Sequence, residues 1–291
     1  MCDEDTVEDN ENFLDNTKGL SRRQFNALAT SATMAMMLPL TANAMDVVET
    51  NVNVNTADGV ADCLFVHPST GRHPAVIIWP DILGLRPAFR LMGKRLAESG
   101  YSVLVVNPYY RNALSPVVPP GASFQDESIR NKVLPMARQL SATTTVTDAK
   151  AFVGFLDQQK TVDSKRKIGT TGYCMGGPFT MRTAAAIPDR IGAGASFHGG
   201  RLVTDAADSP HLLVPKMKAQ FLFAIASNDD QRNPESKNTL RDSFKNAGLS
   251  AEIEVYDGAL HGWCPPDSRV YNEVQAERAW ARLLSLFETA L

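Results

Sequence analysis

The stretch Gly172-Tyr173-Cys174-Met175-Gly176-Gly177 follows the apolar run Lys167–Thr171 and precedes a helical pattern. A glycine two residues before and two after a nucleophilic side chain is typical of a sharp turn from a strand into a helix. Side chains at these two glycine positions would collide with the neighbouring strand and helix. The turn would place the thiol of Cys174 at a helix N-terminus, where the helix dipole favours the thiolate. The alternative is a buried, unreactive cysteine in a glycine-rich turn.

Short apolar runs alternate with amphipathic helical patterns on both sides of this turn. The predicted strands are Val60–Val66, Ala75–Trp79, Ser102–Asn107, Lys167–Thr171, Ile191–Phe197, Gln220–Ala226 and Ala251–Tyr256. The predicted helices are Arg86–Ser99, Asp126–Gln139, Val146–Gln158, Gly177–Ala186, Pro234–Ala247 and Tyr271–Ala290. Several strands are apolar on both faces, as expected when helices cover both faces of a parallel sheet. The sequence therefore predicts a single α/β domain with a mostly parallel central sheet over residues 45–291.

The composition is that of a soluble globular protein and excludes several other classes of protein. Of 291 residues, 44% are hydrophobic and 21% charged, which excludes collagen-like, coiled-coil and wholly disordered chains. The net charge of −3 provides no basic field, so we expect no nucleic-acid partner. The four cysteines are widely separated and give no metal-type pair. We therefore predict no metal site.

An acid and a histidine follow the candidate nucleophile at the ends of later strands. The strand Gln220–Ala226 precedes Asp229 and Asp230, and the strand Ala251–Tyr256 precedes His261. Because parallel strands end at the same edge of a sheet, these side chains should lie near the thiol. His261 would deprotonate the thiol, and the acid would orient the imidazolium. Counting from the strand end favours Asp229, whereas counting back from the next proline favours Asp230.

The first 44 residues are expected to lie outside this domain. Residues 1–16 hold seven acids and no base, a composition that favours disorder. Arg22-Arg23, the uncharged Leu28–Leu40 and the small residues Ala42-Asn43-Ala44 follow, which is the layout of a secretory signal. The paired arginines resemble a twin-arginine export signal, so we expect the export machinery as a partner and a periplasmic location. If residues 1–44 are no signal, the location is cytoplasmic. Leu28–Leu40 is shorter than the roughly 20 apolar residues of a membrane span, so no stable anchor is expected.

Several motifs together resemble the dienelactone hydrolase family of α/β hydrolases. They are Trp79–Leu85, Asn107–Tyr110, Gly172–Gly177, Gly258–Trp263, Tyr271-Asn272 and Ala276–Ala281. The resemblance covers Val60 to Phe287 and implies an α/β-hydrolase fold. It also implies a catalytic triad of Cys174, His261 and Asp229 that cleaves a small carboxylic ester or lactone through an acyl-thioester, with no cofactor.

The resemblance assigns roles to residues around the triad as well. Backbone N–H groups of Ile82 and Met175 would form the oxyanion hole. Asp81 matches the acid that contacts the cysteine and gates its ionisation when substrate binds, although well-known members have Glu there.

Arginines bind the substrate carboxylate in the lactone hydrolases of this family. Arg130 lies in a segment that resembles the one carrying the first of them. The second would stand at position 265, which is Pro, and Arg269 could replace it only if the loop followed a different path. This departure argues against dienelactone itself as the substrate.

Two other functions and two further features stay open at this point. The protein could cleave another activated ester, or it could be a periplasmic redox protein in which Cys264 resolves an oxidised Cys174. His198, which follows a strand end, is expected to have a supporting or structural role. The proline-rich loop Tyr109–Ser123 is long enough to be a lid or a binding loop.

Overall fold

The computed structural model describes Glu8, Asn12 and residues 44–291. The predicted acidic tail and export signal therefore lie outside the described residues, apart from Glu8, Asn12 and Ala44. Within the described part of the chain, no helix combines the length and apolar character needed to cross a membrane.

A single eight-stranded sheet organises the domain. Its strands are β1 Val47–Thr56, β2 Gly59–Pro68, β3 Ala75–Trp79, β4 Ser102–Val105, β5 Ile168–Tyr173, β6 Ile191–Phe197, β7 Gln220–Ala226 and β8 Ala251–Tyr256. Their order is β1-β2-β4-β3-β5-β6-β7-β8. The pairs β1–β2 and β2–β4 are antiparallel, and the other pairs are parallel. The predicted mostly parallel sheet is confirmed.

Helices flank this sheet. They are α1 Pro87–Glu98, α2 Glu127–Ala137, α3 Ala142–Asp157, α4 Gly176–Ala186, α5 Ser227–Arg232, α6 Ser236–Asn246 and α7 Glu273–Ala290, with a 3₁₀ helix at Pro210–Lys216. All five residues of β3 are buried. Ile77 and Trp79 belong to one hydrophobic core, while Val76 and Ile78 belong to another. Because successive strand residues point to opposite faces, each face of the sheet carries its own core, as predicted for helices on both faces.

Four elements differ clearly from the sequence prediction, and the 3₁₀ helix Pro210–Lys216 is one that was not predicted. Strand β1 was not predicted, because its sequence is polar and most of its residues are exposed at the sheet edge. Helix α3 begins at Ala142, earlier than expected, because Ser141 and Thr144 form a capping box at its start. The short helix α5 directly after β7 was predicted as a loop, and it carries an acid of the candidate site.

The proline-rich loop Tyr109–Ser123 is packed against the body of the domain. Val117 and Val118 are buried, and both the backbone and the hydroxyl of Ser115 donate hydrogen bonds to Asp62 on β2. These contacts anchor the middle of the loop to the sheet. Its predicted role as a lid or binding loop stays a prediction.

Candidate active site

The turn between β5 and α4 holds Cys174 in a strained backbone conformation, with φ of 52°. A Cβ on Gly172 would lie 2.1 Å from the carbonyl oxygen of Gly176, and a Cβ on Gly176 would lie 2.3 Å from that of Trp79. No side chain fits at either position, as the sequence predicted. The Cys174 N–H donates to the carbonyl oxygen of Phe197 at 3.0 Å, which ties the turn to β6.

The structure brings His261 and Asp229 into direct contact. Nδ1 of His261 lies 3.0 and 2.8 Å from the two carboxylate oxygens of Asp229, and the His261 N–H donates to Oδ1 of Asn228 at 2.9 Å. Asp230, the other acid considered from the sequence, is bound instead by Nζ of Lys237 at 2.5 and 2.7 Å. Of the two acids, Asp229 is therefore the one that orients the imidazole.

The electrostatic environment of His261 favours the imidazolium. Burial alone would lower the pKa of this side chain, which is only 3% exposed. The negative charges of Asp229 and Cys174, with the hydrogen bond to Asp229, outweigh burial and raise the pKa of His261 to about 10. Because Nδ1 faces Asp229, Nε2 is the nitrogen left for Cys174. The arrangement can hold a thiolate–imidazolium pair at neutral pH.

His198 lies beside this pair, and its predicted supporting or structural role stays a prediction. Its ring centroid is 5.1 Å from that of His261 and 5.1 Å from that of Trp263. Both ring nitrogens are buried without a hydrogen-bond partner. Burial, and then the positive charge of His261, lower the pKa of His198 to about 3. His198 is therefore neutral next to the charged pair.

The two backbone positions expected to form an oxyanion hole are linked by Tyr109. Its hydroxyl donates a hydrogen bond to the carbonyl oxygen of Ile82 at 2.8 Å and lies 3.4 Å from Sδ of Met175. The Tyr109 N–H in turn donates to Oδ1 of Asn107 at 2.9 Å. The segment Asn107–Tyr110 is part of the family resemblance, but no role was predicted for Tyr109. A phenol directly after a buried strand was the available signal, since a buried hydroxyl needs a partner.

Asp81 is held by Arg86, which the sequence analysis did not single out. Nη1 and Nη2 of Arg86 donate to the Asp81 carboxylate at 2.7 and 3.0 Å, and the Leu83 N–H donates to Asp81 Oδ1 at 2.9 Å. Burial raises the pKa of Asp81, Arg86 opposes this, and the nearby Cys174 raises it further. Asp81 is thus close enough to Cys174 for their charges to interact, but Arg86 and Leu83 engage both of its oxygens.

Arg86 also binds a second carboxylate, on the loop that follows His261. Its Nε and Nη2 donate to Asp267 at 2.7 and 2.9 Å. Arg86 is only 5% exposed, so the three charged groups form a buried ion cluster. This cluster connects the loop after β3, which carries Ile82, to the loop that carries His261.

The predicted carboxylate-binding arginine contacts the backbone next to its own helix. Nη1 of Arg130 donates to the carbonyl oxygens of Phe124 at 3.2 Å and Gln125 at 2.5 Å. Arg269 reaches the same segment, donating to Oε1 of Gln125 at 2.8 Å and to Asp126 at 3.4 Å. The path of its loop thus brings Arg269 to the segment that precedes Arg130. A substrate-binding role for Arg130 stays a prediction.

A cleft of about 300 Å³ opens beside Met175. Its walls are formed by the loop before α3, by one face of α4 and by the segment from Gly200 to Pro210. Met175, which directly follows the candidate nucleophile Cys174, lines this cleft, whereas Cys174 itself does not. The cleft is large enough to receive part of a small organic molecule.

The cysteines of the described part of the chain are all free thiols. Cys174 belongs to the hydrophobic core on one face of the sheet, and Cys264 belongs to the core on the other face. Cys264 lines a small cavity with Tyr173 and Trp280, and burial raises its pKa well above the ordinary value. This placement argues against a redox pair with Cys174. Among the described residues, no group of three or more His, Cys, Asp or Glu side chains could hold a metal ion.

Comparison with known proteins identifies the relatives of this chain. A family model described as the dienelactone hydrolase family matches residues 61–291. A carboxymethylenebutenolidase from Rhodococcus opacus is 25% identical over 246 residues, covering 83% of this chain and 92% of that protein. A solved structure from Klebsiella pneumoniae has a TM-score of 0.72 at 20% identity, and a dienelactone hydrolase from Anabaena variabilis one of 0.61 at 15%. Each covers 84% of this chain and 99% of the other, and this likeness shows the shared fold.

Proposed function

Since the chain belongs to the dienelactone hydrolase family, we propose that it hydrolyses a small carboxylic ester or lactone through a cysteine-bound acyl intermediate. The observation that carries this proposal is the contact of His261 with Asp229, next to a cysteine at the tip of a strand-to-helix turn. A carboxylate, an imidazole and a thiol in this order are the parts of a nucleophilic acyl-transfer site.

In the first half of the proposed reaction, the Cys174 thiolate attacks the carbonyl carbon of the substrate. The carbonyl π electrons move to oxygen, and the tetrahedral oxyanion accepts hydrogen bonds from the backbone N–H groups of Ile82 and Met175. Collapse of this intermediate breaks the bond to the alcohol oxygen. His261 gives its proton to the departing alkoxide, and the acyl group remains on sulfur as a thioester.

In the second half, neutral His261 takes a proton from water as the water oxygen attacks the thioester carbon. Asp229 stabilises the imidazolium that forms again. The tetrahedral intermediate collapses, the carboxylic acid leaves and Cys174 returns as the thiolate. The raised pKa of His261 supports this assignment, because the ring must keep a proton while the thiolate is present.

Asp81 is proposed to influence the ionisation of Cys174 through its charge. The two groups raise each other's proton affinity, since each disfavours the other's anionic form. Arg86 neutralises part of the charge of Asp81. In this proposal, Arg86 thereby limits the restraint that Asp81 places on the thiolate.

The location of the enzyme is a separate proposal. Arg22-Arg23, the uncharged segment Leu28–Leu40 and the following Ala42-Asn43-Ala44 support export to the periplasm by a twin-arginine route. Replacing both arginines by lysine should leave the protein in the cytoplasm. Fractionation of cells that express the wild-type and the Lys-Lys chain tests this, and equal periplasmic amounts would contradict it.

The hydrolase proposal is tested with 4-nitrophenyl acetate and an unsaturated lactone as substrates. Cys174→Ala should lower kcat/KM by roughly 10³-fold or more, since loss of a nucleophile removes the covalent route. Cys264→Ala serves as the matched control, because it removes a buried thiol from the other core. Wild-type activity in Cys174→Ala would overturn the proposal.

The same assay separates this function from the redox alternative. A disulfide-exchange protein would lose its activity in both cysteine variants. Its thiol titre would also change on treatment with oxidised glutathione. The hydrolase proposal expects normal ester cleavage by Cys264→Ala under reducing conditions.

A further inference from the structure

The cleft beside Met175 carries two guanidinium groups that the triad does not use. It is lined by Arg182 from α4 and Arg201 from the segment after β6, and the only acid among its lining residues is Asp208. We infer that this cleft, the arginine cleft, binds a carboxylate at the far end of the substrate's acyl chain. The inference rests on the proposed function and names the class of substrate that the site would take.

Arg201 is positioned by the same turn that holds the nucleophile. The N–H of the preceding Gly200 donates to the carbonyl oxygen of Cys174 at 3.3 Å. Arg201 itself has φ of 58°, a left-handed conformation that is costly for a residue with a side chain. Within residues 44–291, its exposed guanidinium takes part in no ion pair. A strained residue with an uncommitted charge next to a nucleophile is well placed to bind substrate.

Arg182 lies farther along the same cleft. It follows Met175 by seven residues and Phe179 by three, so the three side chains fall on one face of α4. Seven residues correspond to about 10 Å along a helix. The anionic group would therefore bind about 10 Å from the oxyanion position. An extended chain of about eight bonds spans that distance, at about 1.2 Å per bond.

The ion pair that Arg182 already makes is a weak competitor. Its Nη2 lies 3.3 Å from Oδ2 of Asp208, and the Asp208 side chain is 64% exposed. Exposed ion pairs with a single long contact contribute little to stability. A substrate carboxylate could displace Asp208 from Arg182. Asp208 makes a single contact of 3.3 Å, whereas a substrate carboxylate could bind the guanidinium groups of both Arg182 and Arg201.

The walls of the arginine cleft between Met175 and Arg182 suit a hydrocarbon chain. Phe179, Leu140 and Pro210 line the arginine cleft together with several alanines. A cleft with apolar walls, with Met175 on one side and Arg182 about two helical turns away, fits the monoester of a long dicarboxylic acid. It fits a compact lactone less well, because the carboxylate of such a lactone would lie too close to its carbonyl to reach Arg182.

Two aryl esters of equal acyl length test this inference. The probes are the mono-4-nitrophenyl ester of octanedioic acid and 4-nitrophenyl octanoate. Wild-type enzyme should prefer the acidic ester by about tenfold or more in kcat/KM, since hydrogen bonds to charged groups supply at least that factor. The double variant Arg182→Gln/Arg201→Gln should lose this preference and keep its activity on the neutral ester, which also shows that it is folded.

Two further variants sharpen the measurement. Arg138→Gln removes an exposed positive charge near the cleft without changing its lining, and it should keep the preference of the wild type. Asp208→Asn removes the competing carboxylate and should increase the preference for the acidic ester. Raising the salt concentration should reduce the preference in the wild type and leave the double variant unchanged.

Each other outcome has a definite meaning. If the wild type cleaves both esters equally well, the inference is wrong and the proposed function stands. If Arg130→Gln abolishes the preference while the double variant retains it, the carboxylate is bound by Arg130 and the inference is also wrong. If the wild type cleaves neither these esters nor 4-nitrophenyl acetate, the proposed function itself fails.

Discussion

Asp229 places both of its carboxylate oxygens against Nδ1 of His261, at 3.0 and 2.8 Å. This contact explains why the pKa of a buried histidine rises rather than falls. Because the ring is charged at neutral pH, the proposed thiolate of Cys174 has its counter-ion in place before substrate binds. The pair also stabilises the fold below the unfolded pKa of about 6.5, and this contribution is lost as the pH rises through the folded pKa.

The first prediction concerns Asp229 and the pH dependence of activity. In the wild type, kcat/KM should fall on the alkaline side near pH 10, where His261 loses its proton. Asp229→Asn removes the attraction that raises this pKa, so the fall should move to lower pH. At neutral pH the rate should drop by about 10³–10⁴. Initial rates on 4-nitrophenyl acetate from pH 5 to 11, with Asp230→Asn as the control, provide the measurement. An unmoved alkaline limb would contradict the assignment.

The second prediction concerns the glycines. Gly172→Ala puts a methyl group 2.1 Å from the carbonyl oxygen of Gly176, so the turn must distort and the protein should be strongly destabilised. Gly154→Ala in α3 is the matched control, because nothing lies within 4 Å of the new methyl group. That variant should be more stable by about 1 kcal/mol, since alanine favours a helix. Urea unfolding of both variants measures the difference, and equal midpoints would count against this account of the turn.

The third prediction concerns the buried ion cluster. Arg86→Met leaves Asp81 and Asp267 buried without their counter-ion, which should lower the free energy of unfolding by about 3–5 kcal/mol at pH 7. Burial already raises the pKa of Asp81, and loss of Arg86 should raise it further. A carboxyl group with a raised folded pKa is tolerated better when protonated, so the loss should be smaller at pH 4.

Comparing the urea midpoints of the wild type and Arg86→Met at pH 4 and pH 7 checks that the loss of stability is smaller at pH 4. The triple variant with Asp81→Asn and Asp267→Asn should recover part of the lost stability, because no buried charge remains. A loss of equal size at pH 4 and pH 7 would indicate that Arg86 acts through packing against Phe89 rather than through charge.

The fourth prediction concerns Tyr109. Tyr109→Phe removes the hydrogen bond to the Ile82 carbonyl and loosens the peptide that follows the residue whose N–H is proposed to bind the oxyanion. We expect kcat to fall by about tenfold, less than the 10²–10³ that loss of such a donor costs. KM should change little, because the oxyanion forms only in the transition state. A fall in stability with unchanged kcat would assign Tyr109 a structural role alone.

Local patterns were sufficient to predict most of the sheet. The strands β3, β6, β7 and β8 have the predicted limits, because β3, β6 and β7 are short apolar runs and β8 alternates apolar with acidic residues. Strand β1 escaped prediction because its side chains are largely polar and its pairing is with a neighbour on one side only. The position of β1 is specified by the hairpin that joins it to β2, not by burial of its side chains.

The site was predictable where chain order was enough. Cys174 and His261 follow from the turn motif and the strand ends, but the choice between Asp229 and Asp230 required the path of α5. Arg86 could not be assigned, because its partner Asp267 is 181 residues away in the chain. The link from Tyr109 to Met175 likewise depends on the way that separate loops pack, which no local spacing encodes.

The central claim is that the acyl group of the substrate becomes bound to the sulfur of Cys174. Acid quenching during turnover of 4-nitrophenyl octanoate, followed by mass spectrometry of the intact protein and its peptides, tests this most directly. We expect an added octanoyl group on the peptide that contains Cys174, sensitive to hydroxylamine and absent from Cys174→Ala. An acyl group on another residue, or turnover by Cys174→Ala at the wild-type rate, would contradict it.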